Sequence, residues 1–257
     1  MSGQLMPEER RNKIYKLLRE VDSKQVSELA EEFDVSEMTI RRDLQDLAER
    51  DLVERTHGGA IARKKFRLDH NVEKRIQKNR QLKKRIADTA ADLIEDHDYL
   101  ALDASTTVLQ LARSFPARQN INAVTNGLLT SRVLSDRDEV DVVLAGGEMR
   151  KEALSTVGSI AREIIGRFNF TRTFMSANAV SPGRGVNDTD VAEIAVKQEM
   201  MKNSSQIVVL ADSTKLGQEA FSVTCPLSRV DVLITDDRAE EEMVTKIKEA
   251  DVKVIMA

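Results

Sequence analysis

Apolar positions along the chain follow two rhythms, and the change between them divides the molecule. Over Pro7 to Glu20, Ile14, Leu17 and Leu18 recur at helical spacing, and Val26, Leu29, Ala30 and Phe33 repeat it after a short break. Asp34-Val35 turns the chain into a third helical run ending at Leu47, with Ile40, Leu44 and Leu47 on its buried face. That run opens on Ser36, a residue type that caps unpaired amides. Two short helices in tight succession predict a helix-turn-helix. Leu52 to Thr56 then alternates like a strand, meets the turn signal His57-Gly58-Gly59 and returns through Ala60-Ile61-Ala62, so a hairpin wing follows.

Residues 63–80 carry no clear apolar rhythm and are expected to form a linker. From Leu82 to Ile94 a helix leads into a regular alternation. Apolar strands at 99–103, 121–125, 140–145, 173–180, 206–211, 230–235 and 252–256 are separated by helical runs at 106–115, 128–134, 160–168, 191–202 and 240–250. This predicts an α/β domain with a mostly parallel sheet covered on both faces. The expected division is a winged helix-turn-helix in residues 1–62, a basic linker in 63–80 and the α/β domain in 81–257. A chain of 257 residues allows both domains their own cores.

Charge changes this picture more than composition does. The net charge of −4 is unusual for a nucleic-acid binder, but residues 63–85 hold eleven Lys and Arg against two acidic residues, and the stretches on either side are acidic. Lys64, Lys65, Arg67, Lys74, Arg75, Lys78, Arg80, Lys83, Lys84 and Arg85 in this run can follow a phosphate backbone, or they form the solvated face of a linker and a helix. Cys225 is alone and reads as a core residue. His57, His70 and His97 are scattered, so no metal and no other cofactor is implied. No apolar run is long enough to span a bilayer and the N-terminus is not signal-like, which predicts a cytoplasmic protein with no membrane partner.

The third helix presents Glu37, Met38, Thr39, Arg41, Arg42 and Gln45 away from its apolar face, where a helix in a DNA major groove makes its contacts. The competing reading has these arginines solvated or paired with Asp43 and Asp46. In the α/β domain, ligands bind beyond the carboxyl ends of the strands. Four polar loops fall there: Asp103-Ala104-Ser105-Thr106-Thr107, Thr125-Asn126-Gly127, Gly146-Gly147-Glu148-Met149-Arg150 and Asp212-Ser213-Thr214-Lys215-Leu216-Gly217. Each alone is an ordinary helix cap. Together, with the first at a helix N-terminus and Lys215 to pair a phosphate, they point to a small phosphorylated polyol or sugar. Glu193 and Lys197 share a helix face and either touch such a ligand or pair with each other.

The string VSEMTIRRDLQDLAERDLVERTHGGA, residues 35–60, closely resembles the N-terminal signature of the DeoR-type bacterial transcription regulators. The resemblance implies that the capped helix enters the major groove, with Thr39, Arg41 and Arg42 at the DNA and Ser36 holding the helix start. Gln45 on the same face and His57 in the wing turn complete the expected DNA-binding set. Residues 80–257 are similar to the effector domain of the same family, which resembles ribose-5-phosphate isomerase and coenzyme A transferase folds. The family pattern Asp-x-Gly-Thr-Thr stands at 103–107 with Ser105 in place of the glycine. That side chain either holds the backbone off a phosphate or donates its hydroxyl to it. The strings GGEMR at 146–150, FMSANAV at 174–180 and ADSTKLGQEAFSVTC at 211–225 are most similar to repressors of lactose phosphotransferase operons, which implies a response to tagatose 6-phosphate.

The expected effector-binding set is Asp103, Ser105, Thr106, Thr107, Thr125, Asn126, Gly146, Gly147 and Arg150, with Lys197 and Lys215. The expected function is a repressor of a sugar-utilisation operon that binds double-stranded operator DNA as a homo-oligomer, dimer or tetramer, and is released by a phosphorylated sugar. The alternative is an enzyme resembling a sugar-phosphate isomerase. Asp103, Glu148 and Lys215 are its candidate bases, and nothing in the sequence marks one of them as such.

Overall fold

The computed structural model describes residues 6–21, 23–49, 53–56, 58–62 and 70–257. The chain divides into two units, Met1–Arg67 and Leu68–Ala257. In the first, α1 (Pro7–Val21), β1 (Ser23–Gln25), α2 (Val26–Glu32) and α3 (Glu37–Glu49) precede β2 (Val53–Arg55) and β3 (Gly59–Ala62). The helical spacing closes one core in which Ile14 and Leu18 of α1, Val26 and Leu29 of α2, and Ile40, Leu44 and Leu47 of α3 meet Val53 and Ala60. Strand β3 pairs antiparallel with β2 on one side and β1 on the other. The wing is therefore three-stranded, its third strand being the short polar run Ser23-Lys24-Gln25. Asp43 is buried on α3 and accepts from Arg10 Nε of α1 at 2.6 Å.

The second unit opens with α4 (His70–Gln77) and α5 (Arg80–Ala91). Helix α4 falls inside the stretch expected to be a linker. Its buried residues Val72 and Ile76 are four apart and pack with Leu109 and Leu154, and two such positions are too few to set a visible rhythm. Then come β4 (Tyr99–Leu102), α6 (Thr106–Arg113), β5 (Ile121–Thr125), α7 (Leu128–Leu134), β6 (Val140–Leu144), β7 (Glu148–Arg150), β8 (Ser155–Val157) and α8 (Gly158–Ile165). The chain continues through β9 (Phe170–Ser176), β10 (Ala179–Ser181), β11 (Gly185–Asp188), α9 (Val191–Lys202), β12 (Ser204–Leu210), β13 (Ser222–Cys225), β14 (Val232–Thr235), α10 (Glu241–Lys248) and β15 (Lys253–Met256).

Seven of these strands form a parallel sheet in the order β15-β14-β12-β9-β4-β5-β6. Leu100, Leu102, Phe174, Val208, Leu210 and Ile234 point into one core with α5 and α6. The residues between them, Ala101, Met175, Val209 and Leu233, point into the cores on the opposite face. Both faces are covered, as the near-continuous apolar strands require. The strand order reverses between β4 and β9, and such a reversal opens a crevice at the carboxyl ends of the two strands. The expected strand at 173–180 is in fact two, because the chain leaves the main sheet after Ser176 and enters a small antiparallel sheet of β10, β11 and β13. No helix among the described residues is long and apolar enough to cross a membrane.

Candidate functional site

In the first unit, Ser36 caps α3: its Oγ accepts from Thr39 N at 3.1 Å and is hydrogen bonded to Thr39 Oγ1 at 2.9 Å. The two carboxylates that could have neutralised the arginines of α3 turn toward α1. Asp43 pairs with Arg10, and Asp46 lies 3.3 Å from Arg11 Nε. Arg41 and Arg42 are consequently exposed. Arg41 Nη2 meets Glu37 Oε2 at 3.2 Å in a pair that is about half exposed on both sides, and such pairs hold a side chain only weakly. Arg42 has no hydrogen bond or ion pair among the described residues. Gln45 donates to Glu49 Oε1 at 2.9 Å and accepts from Arg55 Nη1 at 2.7 Å, so it links α3 to the wing strand β2. His57 lies outside the described residues. The result is an open polar helix face with two cations that the fold does not use.

In the second unit, a cavity of about 310 Å³ opens at the carboxyl ends of β4, β9 and β12. Arg75, Lys78, Lys83, Lys197 and Lys215 line it against two carboxylates, Asp188 and Asp212. Asp103 ties the crevice together, accepting from Ser105 N at 2.9 Å and from Ser176 N at 3.0 Å, and so joins the ends of β4 and β9. Lys197 reaches the same point from α9. It donates to Ser176 O at 2.6 Å and pairs with Asp188 at 2.8 Å and Asp103 at 3.3 Å.

Lys83 and Lys215 are held differently. Lys83 Nζ donates to the Arg75 carbonyl and to Thr106 Oγ1 at 3.0 Å, and Lys215 Nζ donates to Ser176 Oγ at 2.9 Å. Their partners are neutral oxygens, and among the described residues neither ammonium forms an ion pair. Burial pulls Lys83 down to about 8, with the Lys215 charge adding to the effect. Burial likewise lowers Lys215, against the attraction of Asp212. Burial opposes the charge on Lys197 too, but Asp188 and Asp103 outweigh it and hold that ammonium above its ordinary value. Of these three lysines, an anion entering here meets one already neutralised and two held by neutral oxygens.

The 103–107 loop supplies the other half of this wall. Ser105 caps α6 in an extended conformation, φ −72°, its Oγ accepting from Val108 N at 3.2 Å. No glycine is needed at such a φ, and the hydroxyl oxygen accepts from the helix while Ser105 lines both chambers. A second chamber of about 220 Å³ adjoins the first and shares Arg75, Ser105, Asn178, Asp188 and Lys197 with it. There Arg150 pairs with Glu193 at 2.9 Å and with Asp190 at 3.0 Å. Glu193 and Lys197 thus each find partners other than the opposite member of the pair.

Of the residues expected from the sequence, Asp103, Ser105, Thr106, Thr107, Arg150, Lys197 and Lys215 come together on these two chambers. Thr125, Asn126, Gly146 and Gly147 line neither. Thr125 Oγ1 accepts from Gly127 N, and Asn126 Nδ2 donates to Thr156 O, both at 3.0 Å. Gly147 has φ +136°, and an added Cβ would lie 2.4 Å from Val157 O, so its backbone explains the glycine. Arg75, Lys78 and Lys83 of the basic run line the cavity; Arg75 and Lys78 are also exposed, whereas Lys83 is buried. The available signal was the position of Lys83, between Leu82 and Ile86 on the apolar side of α5.

Residues 10–66 match the family model of the DeoR-like helix-turn-helix domain, and residues 78–237 match that of the DeoR C terminal sensor domain. The chain is 31% identical to the HTH-type transcriptional regulator GlpR of Haloferax volcanii, over 98% of both chains. It is 30% identical to the lactose phosphotransferase system repressor of Staphylococcus epidermidis, over 91% of this chain and 94% of that one. Among solved structures it is similar to ribose 5 phosphate isomerase A from Neisseria gonorrhoeae, a partial likeness with 17% identity, a TM-score of 0.39, and 55% of this chain and 53% of that one covered.

Proposed function

We propose, from the premise that the chain belongs to the DeoR family of regulators as both family matches establish, that it represses a sugar-utilisation operon and leaves its double-stranded operator when a phosphorylated sugar binds the second unit. The observation that carries this reading is the pair Lys83 and Lys215. Two ammoniums, one buried and one half-buried, held only by neutral oxygens are where a phosphate gains most, because charge-assisted hydrogen bonds replace neutral ones. The lactose phosphotransferase system repressor among the relatives makes tagatose 6-phosphate and other hexose 6-phosphates the first ligands to try.

Ligand can shift the protein only by binding its two arrangements unequally. An incoming phosphate competes for Lys83, which otherwise holds the Arg75 carbonyl in the last turn of α4, the first helix after the connection to the DNA-reading unit. On the operator, Arg41 and Arg42 contact the major groove, with Thr39, Gln45 and His57 beside them and Ser36 fixing the helix start. A dimer or tetramer pairs two such helices on a palindrome, which compensates for the formally acidic stretch 1–62. Isomerisation falls away: both curated relatives carry regulator or repressor names over nearly their whole length. Asp103, the candidate base at the crevice, is already occupied by two amides and Lys197.

The test couples two readouts on the full chain: a thermal-shift screen of phosphorylated hexoses, pentoses and trioses, and binding to DNA flanking its own gene. At least one ligand is expected to raise Tm and release the DNA. If every sugar phosphate leaves both readouts unchanged, the reading fails.

A further inference from the structure

The two adjoining chambers differ in charge, and the difference narrows the ligand class. This step rests on the reading that the site takes a phosphorylated sugar. In the first chamber five cations face two carboxylates, and in the second three cations, Arg75, Arg150 and Lys197, face four: Asp103, Asp188, Asp190 and Glu193. The cations of the second chamber are also committed. Arg150 is paired with Asp190 and Glu193, and Lys197 with Asp188 and Asp103. Arg75 is the exception, but it belongs to both chambers and serves whichever phosphate arrives first.

We infer that the site selects a sugar carrying a single phosphate, with that phosphate against Lys83 and Lys215 and the hydroxylated end against Asp190, Glu193 and Arg150, and that it rejects bisphosphates. Sugar hydroxyls donate hydrogen bonds, and the second chamber offers carboxylate acceptors. A second phosphate offers only acceptors and charge, so it meets carboxylates across a short, partly desolvated gap where like charges repel strongly. This makes Asp190 and Glu193 specificity-determining residues. Glu193 is positioned for it by Asn126 Nδ2, 3.3 Å from its Oε2, and by the Ser155 hydroxyl.

The experiment is calorimetric titration of the full chain with inorganic phosphate, a panel of hexose 6-phosphates, and the 1,6-bisphosphate of each hexose that binds. The expected result is a monophosphate that binds more tightly than inorganic phosphate and at least about tenfold more tightly than its bisphosphate. The doubly neutralised variant, Asp190→Asn with Glu193→Gln, keeps side-chain oxygens at both positions and should shrink or invert that ratio by freeing Arg150. A bisphosphate that binds the wild-type chain as tightly as the monophosphate overturns the inference and leaves the sugar-phosphate reading standing. No binding by inorganic phosphate or any ester overturns that reading, and the inference with it. The wild-type ratio alone decides the matter if the double variant does not fold.

Discussion

The two units treat positive charge in opposite ways. On α3, Arg41 and Arg42 stand in solvent, one in a loose surface pair and the other with no partner among the described residues. Around the crevice, Lys83 and Lys197 are buried, and Lys215 is held half-buried against Ser176. Exposed cations cost the fold nothing and are screened by salt, so they suit a polyanion that offers many phosphates at once. Buried ammoniums carry a desolvation cost that the fold has already met, so one phosphate in a small cavity interacts with them at full strength. Burial, more than charge, separates a surface that reads a duplex from a cavity that reads a metabolite.

The contrast can be broken in four places. The largest effect is expected inside the reader. Asp43→Ala removes the carboxylate that Arg10 Nε donates to, and breaking one side of a buried pair costs up to about 3–5 kcal/mol. Amide exchange on the full chain should show α1 and α3 losing protection while the seven-stranded sheet keeps it; undiminished protection in α1 and α3 would remove the pair from the account. Next, Lys215→Met should weaken sugar-phosphate binding by about 1.5–3 kcal/mol, the scale of a hydrogen bond to a charged group, with operator affinity unchanged. Calorimetry and DNA-binding titrations read the two halves of that statement separately.

Arg42→Ala should cost about 1–3 kcal/mol in operator affinity if the guanidinium reads a base, and it should move stability by less than about 0.5 kcal/mol. A large fall in Tm would show that the side chain is structural instead. The smallest effect is the dependence of ligand affinity on pH. Lys83 titrates near 8 in the free cavity, and a bound phosphate raises that value, so binding takes up a proton. Affinity is greatest between about 6, above which the ester is dianionic, and 8, and it declines as pH climbs past 8 and Lys83 loses its proton, by up to about tenfold between pH 7 and 9. Affinity that rises across this range would contradict the assignment of Lys83.

What the sequence revealed follows from how local each signal is. The strand at 121–125 and the helices at 128–134 and 191–202 begin and end in the structure as the sequence predicts, since each apolar run is bounded by turn residues. Strand β1 is three polar residues that become a strand only because β3 pairs with them, and α4 shows only two buried positions. Asp103, Ser105 and Thr106 could be read as soon as a parallel sheet was expected, because ligands gather at strand ends. Lys83 could not. Its side-chain partner Thr106 lies 23 residues away, and a basic run hides one lysine that points inward.

The central claim is that a phosphate on the Lys83 and Lys215 pair is what releases α3 from DNA. The direct measurement is fluorescence anisotropy of a labelled operator complex titrated with one hexose 6-phosphate that binds, using the wild-type chain and Lys215→Met in parallel. Equal starting affinities, release of the wild type and retention of the variant across the same ligand range are expected. Release of both at the same concentration would contradict the central claim.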